Sequence, residues 1–104
     1  MLAISDKTFN KYVADDMPLM VMFWAEFCGP CRLAKPEFEA AASRAGNQIR
    51  FATFNLDGNP DTPEKYGVRG IPEFILFVGG VPTNPTVGAI TSEKILELVA
   101  DALV

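Results

Sequence analysis

Three apolar stretches and two helical ones set the elements of this chain. Leu19-Met20-Val21-Met22-Phe23-Trp24 carries neither a charge nor a turn former, the pattern of a strand buried on both faces of a sheet. Phe74 to Val78 is a second wholly apolar run. Between them Ile49 to Asn55 alternates, with Ile49 and Phe51 on one face and Ala52 and Phe54 on the other. From Cys28 to about Ala45 the spacing turns helical: Leu33, Ala34, Phe38, Ala41, Ala42 and Ala45 form a mostly small apolar face, Gly46 caps the end, and Pro36 predicts a kink. Thr91 or Ser92 caps a last helix, whose Ile95, Leu98, Val99, Ala102 and Leu103 share one face.

The connections complete the order. Leu2 to Ile4 is a stub of strand. Ser5 or Asp6 caps a short helix through Ala14, with Phe9, Tyr12 and Val13 in one stripe. Met17-Pro18 and Asp57-Gly58-Asn59-Pro60 are turns, and a short helix from Asp61 or Pro63 ends at Gly67. Gly79-Gly80 is a hairpin signal, and Pro82 and Pro85 interrupt the donor row of the following strand, which places it at an edge. The helix between Leu19–Trp24 and Ile49–Asn55 makes those two strands parallel. The order is β-α-β-α-β-β-α: an α/β fold, a central mixed β-sheet flanked by helices, in which residues 1–104 form a single domain.

Composition narrows the partners. With 49% hydrophobic residues in 104, one core needs no staples. The formal charge is −4 with both signs interspersed, so no basic stripe exists to hold a phosphate backbone and nucleic acid is excluded as a partner. The longest apolar run, Leu19 to Ala25, is too short to span a bilayer, and the first residues lack a basic leader. The expectation is a cytoplasmic protein with no membrane partner, and in a reducing compartment a lone cysteine pair is more often catalytic than structural.

Both cysteines of the chain, Cys28 and Cys31, lie three residues apart where the first apolar strand gives way to the long helix. Pro30 suits the first turn of that helix. The first thiol is thereby set among unpaired N–H groups at the positive end of the helix dipole, which favours the thiolate, the form that attacks disulfides. We assign attack to Cys28 and resolution of the mixed disulfide to Cys31, one turn inside. Three other readings stand beside this one. A structural disulfide closing so short a loop contributes only about 2 kcal/mol. A zinc half-site needs two more ligands in a chain with no histidine and no third cysteine. Two unrelated buried thiols would leave Gly29-Pro30 between them without a purpose.

These residues resemble the thioredoxin family, and the resemblance runs from Phe9 to the last helix. It is carried by Phe23-Trp24-Ala25-Glu26, Cys28-Gly29-Pro30-Cys31, Asn55-Leu56-Asp57, Asn59-Pro60, Tyr66-Gly67-Val68-Arg69-Gly70-Ile71-Pro72 and Val87-Gly88-Ala89. The resemblance implies the thioredoxin fold. It also implies that Pro72 follows a cis peptide bond and presents an inert ring to the cysteine pair, leaving the backbone N–H and C=O of Ile71 free to pair with an extended substrate. By the same resemblance Val87, Gly88 and Ala89 complete the groove, although an ordinary turn before a helix would also account for them. Phe27, Gly29 and Pro30 complete the substrate-facing surface, with Phe27 an exposed apolar lip, or else a residue capping the core, and Trp24 a core residue.

The chain also departs from that family. The buried aspartate usual six residues before the first cysteine is Met22, and the lysine that usually accompanies it is Thr53. Losing both charges together is physically coherent, because either alone would be costly when buried. Cys31 is then deprotonated through water or with help from Glu26, and slower resolution is expected. Met22 raises the thiol pKa values by desolvation, while the missing negative charge lowers them. The usual tryptophan before the first cysteine is Phe27. After Pro72, where a small hydroxyl residue is usual, stands Glu73, which reads as a solvated charge at a strand start or else as a group that disfavours acidic substrates and the family's usual reductase.

What the resemblance implies is a monomeric protein-disulfide reductase with no cofactor and no metal of its own, acting on disulfide-containing substrate proteins and recharged by a thioredoxin-reductase-type donor. A disulfide oxidase or isomerase, and a binding module that uses the groove without redox turnover, are the alternatives.

Overall fold

A computed structural model describes residues 1–103. Its elements are β1 (Leu2–Ile4), α1 (Phe9–Val13), β2 (Leu19–Trp24), α2 (Gly29–Ala45), a 3-10 turn (Gly46–Gln48), β3 (Arg50–Asn55), α3 (Asp61–Lys65), β4 (Glu73–Val78), β5 (Val81–Val87) and α4 (Ser92–Leu103). The strands form one mixed sheet in the order β1-β3-β2-β4-β5. β3 runs parallel to both β1 and β2, while β4 is antiparallel to β2 and to β5. The expected β-α-β-α-β-β-α order is therefore present, preceded by β1 and α1. Among the described residues no helix is long and apolar enough to cross a membrane.

Each face of the sheet has its own core, and the alternation along the strands decides which residue joins which. Met20, Met22, Phe51, Phe74 and Leu76 pack with Ala34, Phe38 and Ala41 of α2 and with Ile95 and Val99 of α4. The intervening residues, Val21, Phe23, Ala52, Phe54, Ile75 and Phe77, pack with Phe9 and Val68 on the other side. Phe38 is fully buried, its ring centroid 5.2 Å from that of Phe51 and 5.8 Å from that of Phe74. β5 lies at the edge, as its two prolines require, and most of its residues are exposed.

Four expectations need correction. Leu33 is 70% exposed, because the buried stripe of α2 runs Cys31, Ala34, Phe38, Ala41 and Leu33 falls to one side of it. Leu103 shares the face of Ile95 and Val99 but is 45% exposed, because it is the last residue of α4. Neither Ser5 nor Asp6 caps α1 with its side chain. Ser5 instead supplies its carbonyl to the N–H groups of Thr8 and Phe9, and the Asp6 carboxylate caps α3, accepting from the N–H groups of Asp61 at 2.9 Å and Thr62 at 2.8 Å. Trp24, read as core, is only partly buried. At the start of α4 the Thr91 hydroxyl accepts from the Lys94 N–H at 3.1 Å, and Glu37 of α2 accepts from the Ser92 N–H at 2.7 Å, which ties the two helices together.

Candidate active site

β2 ends at Trp24, and a turn in which the Cys28 N–H donates to the Ala25 carbonyl at 3.2 Å brings the chain to α2. Cys28 is the N-cap of that helix, with extended backbone, and Pro30 occupies its first turn. A cap side chain satisfies an orphan N–H of the first turn, a task usually done by oxygen. Here sulfur does it: Cys28 Sγ accepts from the Cys31 N–H at 3.2 Å. The two cysteines are disulfide-bonded with Cα atoms 5.2 Å apart. Cys28 is partly exposed and Cys31 only 4% exposed, so the outer sulfur is the one a second protein can reach. Gly29 and Pro30 are exposed, and Phe27 is 97% exposed, standing out as a lip.

Two other segments converge on Cys28. The Ile71–Pro72 peptide is cis, and the Ile71 carbonyl oxygen lies 3.6 Å from Cys28 Sγ. In the disulfide that is a contact; once reduced, the thiol finds an acceptor there. Neither the N–H nor the carbonyl of Ile71 has a backbone partner among the described residues. The Pro72 ring is fully buried and is not offered at the surface. The Gly88 N–H donates to the Pro72 carbonyl at 2.8 Å, which fastens Val87-Gly88-Ala89 to this loop. Gly88 has φ +111°, which no side-chain-bearing residue adopts readily, so its conformation is the reason for glycine. At Gly70 the constraint is crowding instead: a Cβ there would lie 2.8 Å from Val87 Cγ1, so that side chain would have to shift. Val87 and Ala89 are exposed.

Glu73 is not solvated. It is 4% exposed, paired in register with Phe23 on one side and Val87 on the other, and alternation turns it to the face of Ile75 rather than outward. Burial pushes its carboxyl above the usual range, with the Arg69 backbone N–H pulling weakly the other way.

A cavity of about 220 Å³ is lined by Cys31 and not by Cys28. Met22 and Thr53, register partners on β2 and β3, line it together with Trp24. Glu26 is on its wall, as are Arg32 and Lys35 of α2. The two α2 cations are site residues that motif reading passes over; for Lys35 the signal is its spacing of four from Cys31 on a helix, whereas Arg32, at a spacing of one, leaves none.

A family model of thioredoxin matches residues 1–101. The chain is 43% identical over 100 residues to a thioredoxin of Rhodospirillum rubrum, covering 95% of this chain and 96% of that one. It is 35% identical over 102 residues to a thioredoxin of Alicyclobacillus acidocaldarius subsp. acidocaldarius, covering 98% and 97%. A thioredoxin of Acidithiobacillus ferridurans is 40% identical over 96 residues, with 91% and 89% covered. Sequence kinship along nearly the whole chain and a redox-capable Cys28–Cys31 disulfide at a helix N-terminus agree: the chain belongs to the thioredoxin family, the thiol-disulfide oxidoreductases.

Proposed function

We propose that the chain is a protein-disulfide reductase. The thiolate of Cys28 attacks one sulfur of a substrate disulfide, forming a mixed disulfide and releasing the other substrate sulfur as a thiolate that takes a proton from water. Cys31 then gives up its proton, attacks Cys28 Sγ, and displaces the second substrate thiolate. Two electrons pass to the substrate, and the chain is left as the Cys28–Cys31 disulfide. A thioredoxin-reductase-type donor returns it to the dithiol, and the cytoplasmic setting expected from the sequence belongs to the same reading.

The observation that carries the proposal is the asymmetry of the pair. Cys28 is accessible and held by the Cys31 N–H at 3.2 Å, whereas Cys31 is buried within bonding reach of it. Ile71, with an unpartnered N–H, offers a substrate backbone a place beside the attacking sulfur, and Phe27, Gly29, Pro30, Val87, Gly88 and Ala89 surround it. The proton of Cys31 leaves to water in the cavity that Cys31 lines. Met22 and Glu73 tune the site without touching substrate.

Reduction of a protein disulfide, followed once with NADPH and a general thioredoxin reductase and once with dithiothreitol, tests this. Turnover with dithiothreitol that is lost on replacing Cys28 and Cys31 by serine is the expected result, and activity only with the chemical reductant assigns a dedicated donor. No reduction with either overturns the proposal. A measured potential near those of disulfide oxidases would replace it by the oxidase reading, each 30 mV being roughly tenfold in equilibrium constant.

A further inference from the structure

Resolution requires a buried thiol to ionise, and the strand residue beside Cys31 is Met22, which neither accepts a proton nor carries charge. The charged groups on the cavity wall are Glu26 from the turn after β2 and Arg32 and Lys35 from α2; β2 contributes Met22 and Trp24 and β3 contributes Thr53, none of which titrates near neutral pH. Two cations therefore face one carboxylate. Lys35 and Arg32 make no ion pair among the described residues. Of the two, Lys35 is four residues from Cys31, which stacks their side chains on one helix face with Cβ atoms about 5–6 Å apart, while a neighbour at i+1 faces elsewhere. We propose that Lys35, which lines the same cavity as Cys31, is the positioning charge of the resolving step: its positive charge stabilises the Cys31 thiolate so that cavity water suffices to take the proton. This rests on the reductase reading above. In that step the Cys31 S–H proton passes to water, the thiolate forms the S–S bond to Cys28, and the substrate sulfur leaves with the bonding pair.

The burial of Cys31 makes a neighbouring charge significant, and the exposure of Lys35 moderates it. The test is stopped-flow reaction of the reduced protein with 2,2′-dithiodipyridine, a neutral disulfide, from pH 5 to 9. The first release of pyridinethione reports attack by Cys28, and the second reports resolution by Cys31. Lys35→Met is expected to slow the second release about three- to tenfold at pH 7 and move its midpoint to higher pH, with the first release within about twofold of the parent. Lys35→Arg should keep the parent profile. Glu26→Gln should leave resolution as fast or faster, since it removes the opposing charge. An unchanged second phase in Lys35→Met overturns the inference, as does a tenfold loss in Glu26→Gln, which would make Glu26 the proton acceptor. Absence of any second release in the unaltered protein would instead overturn the reductase reading, and this inference with it.

Discussion

Met22 and Thr53 are register partners on adjacent parallel strands, and both line the cavity that ends on Cys31. Met22 is 2% exposed, so an aspartate there would be a buried carboxylate whose register partner, Thr53, carries no charge. Met22→Asp is expected to lower stability by about 3 kcal/mol at pH 7, less as the pH falls and the new group is neutralised, with Thr53→Lys recovering part of the loss. The same substitution supplies a proton acceptor and should speed resolution several-fold near neutral pH. Urea unfolding and single-turnover kinetics measure the two effects, and an unchanged resolution rate would mean that the acid's absence is without consequence.

Phe27 contributes almost nothing to the core, being 97% exposed, yet it directly precedes the accessible cysteine. Phe27→Ala should leave stability within about 0.5 kcal/mol of the parent. Reduction of protein disulfides should show a several-fold rise in KM, while a small-molecule disulfide is reduced at the parent rate. Equal losses with both substrates would count against a docking role.

Asp6 holds the start of α3 from 55 residues away. Burial alone would raise its pKa, but hydrogen bonds from the Thr62 hydroxyl and the N–H groups of Asp61 and Thr62 outweigh that and hold it below the usual value. A carboxyl whose folded pKa is lowered adds stability above its unfolded pKa and loses it as the pH falls through the folded one. Asp6→Ala is therefore expected to cost about 1 kcal/mol, roughly 5 °C in Tm, at pH 6 to 8. The gap between the two proteins should close in acid. A gap independent of pH would show that the carboxylate is not the stabilising group.

Asp6 also marks where sequence reading stops. Alternation in Ile49, Phe51, Ala52 and Phe54 needs only a period of two, so both cores were legible, and the cysteine pair with its downstream Ile71-Pro72 was legible as a motif. A cap between residues 6 and 61 leaves no local trace. Leu33 misled because apolarity was read as burial, when Cys31 itself begins the buried stripe. Glu73 misled in the opposite sense, since charge was read as exposure while strand register turned it inward. The cavity beside Cys31 is shaped by three elements at once, and only the fold assembles them.

Gly70 lies against the Val87 side chain, and a methyl group on Gly70 would meet Val87 Cγ1 at 2.8 Å. Val87 is β-branched and stiff at χ1, but it is 59% exposed and has solvent to move into. Gly70→Ala should thus cost little stability, about 1 kcal/mol or less, while displacing the groove edge and lowering kcat/KM for protein disulfides several-fold. Val87→Ala added to it relieves the overlap and should restore much of the activity. A double variant no better than Gly70→Ala would place the damage elsewhere.

Glu73 follows the cis proline and is buried between two strands, with its carboxyl pushed above the usual range by desolvation. Below the ordinary carboxylate range the group is protonated whether the chain is folded or not, and its burial costs nothing in charge. As the pH rises through the raised folded value, the unfolded chain is favoured because only there is the anion fully hydrated. Glu73→Gln keeps an acceptor for the Arg69 N–H and removes the charge. It is expected to stabilise the fold by of order 1 kcal/mol at pH 7 and by nothing measurable near pH 3, read from urea unfolding at the two values. Unchanged stability at pH 7 would mean that the carboxylate is adequately hydrated where it stands. Equal gains at both values would point to a packing effect. A gain confined to neutral pH would identify Glu73 as a charge the fold tolerates at a cost, and would turn attention to what that charge does for the groove beside it.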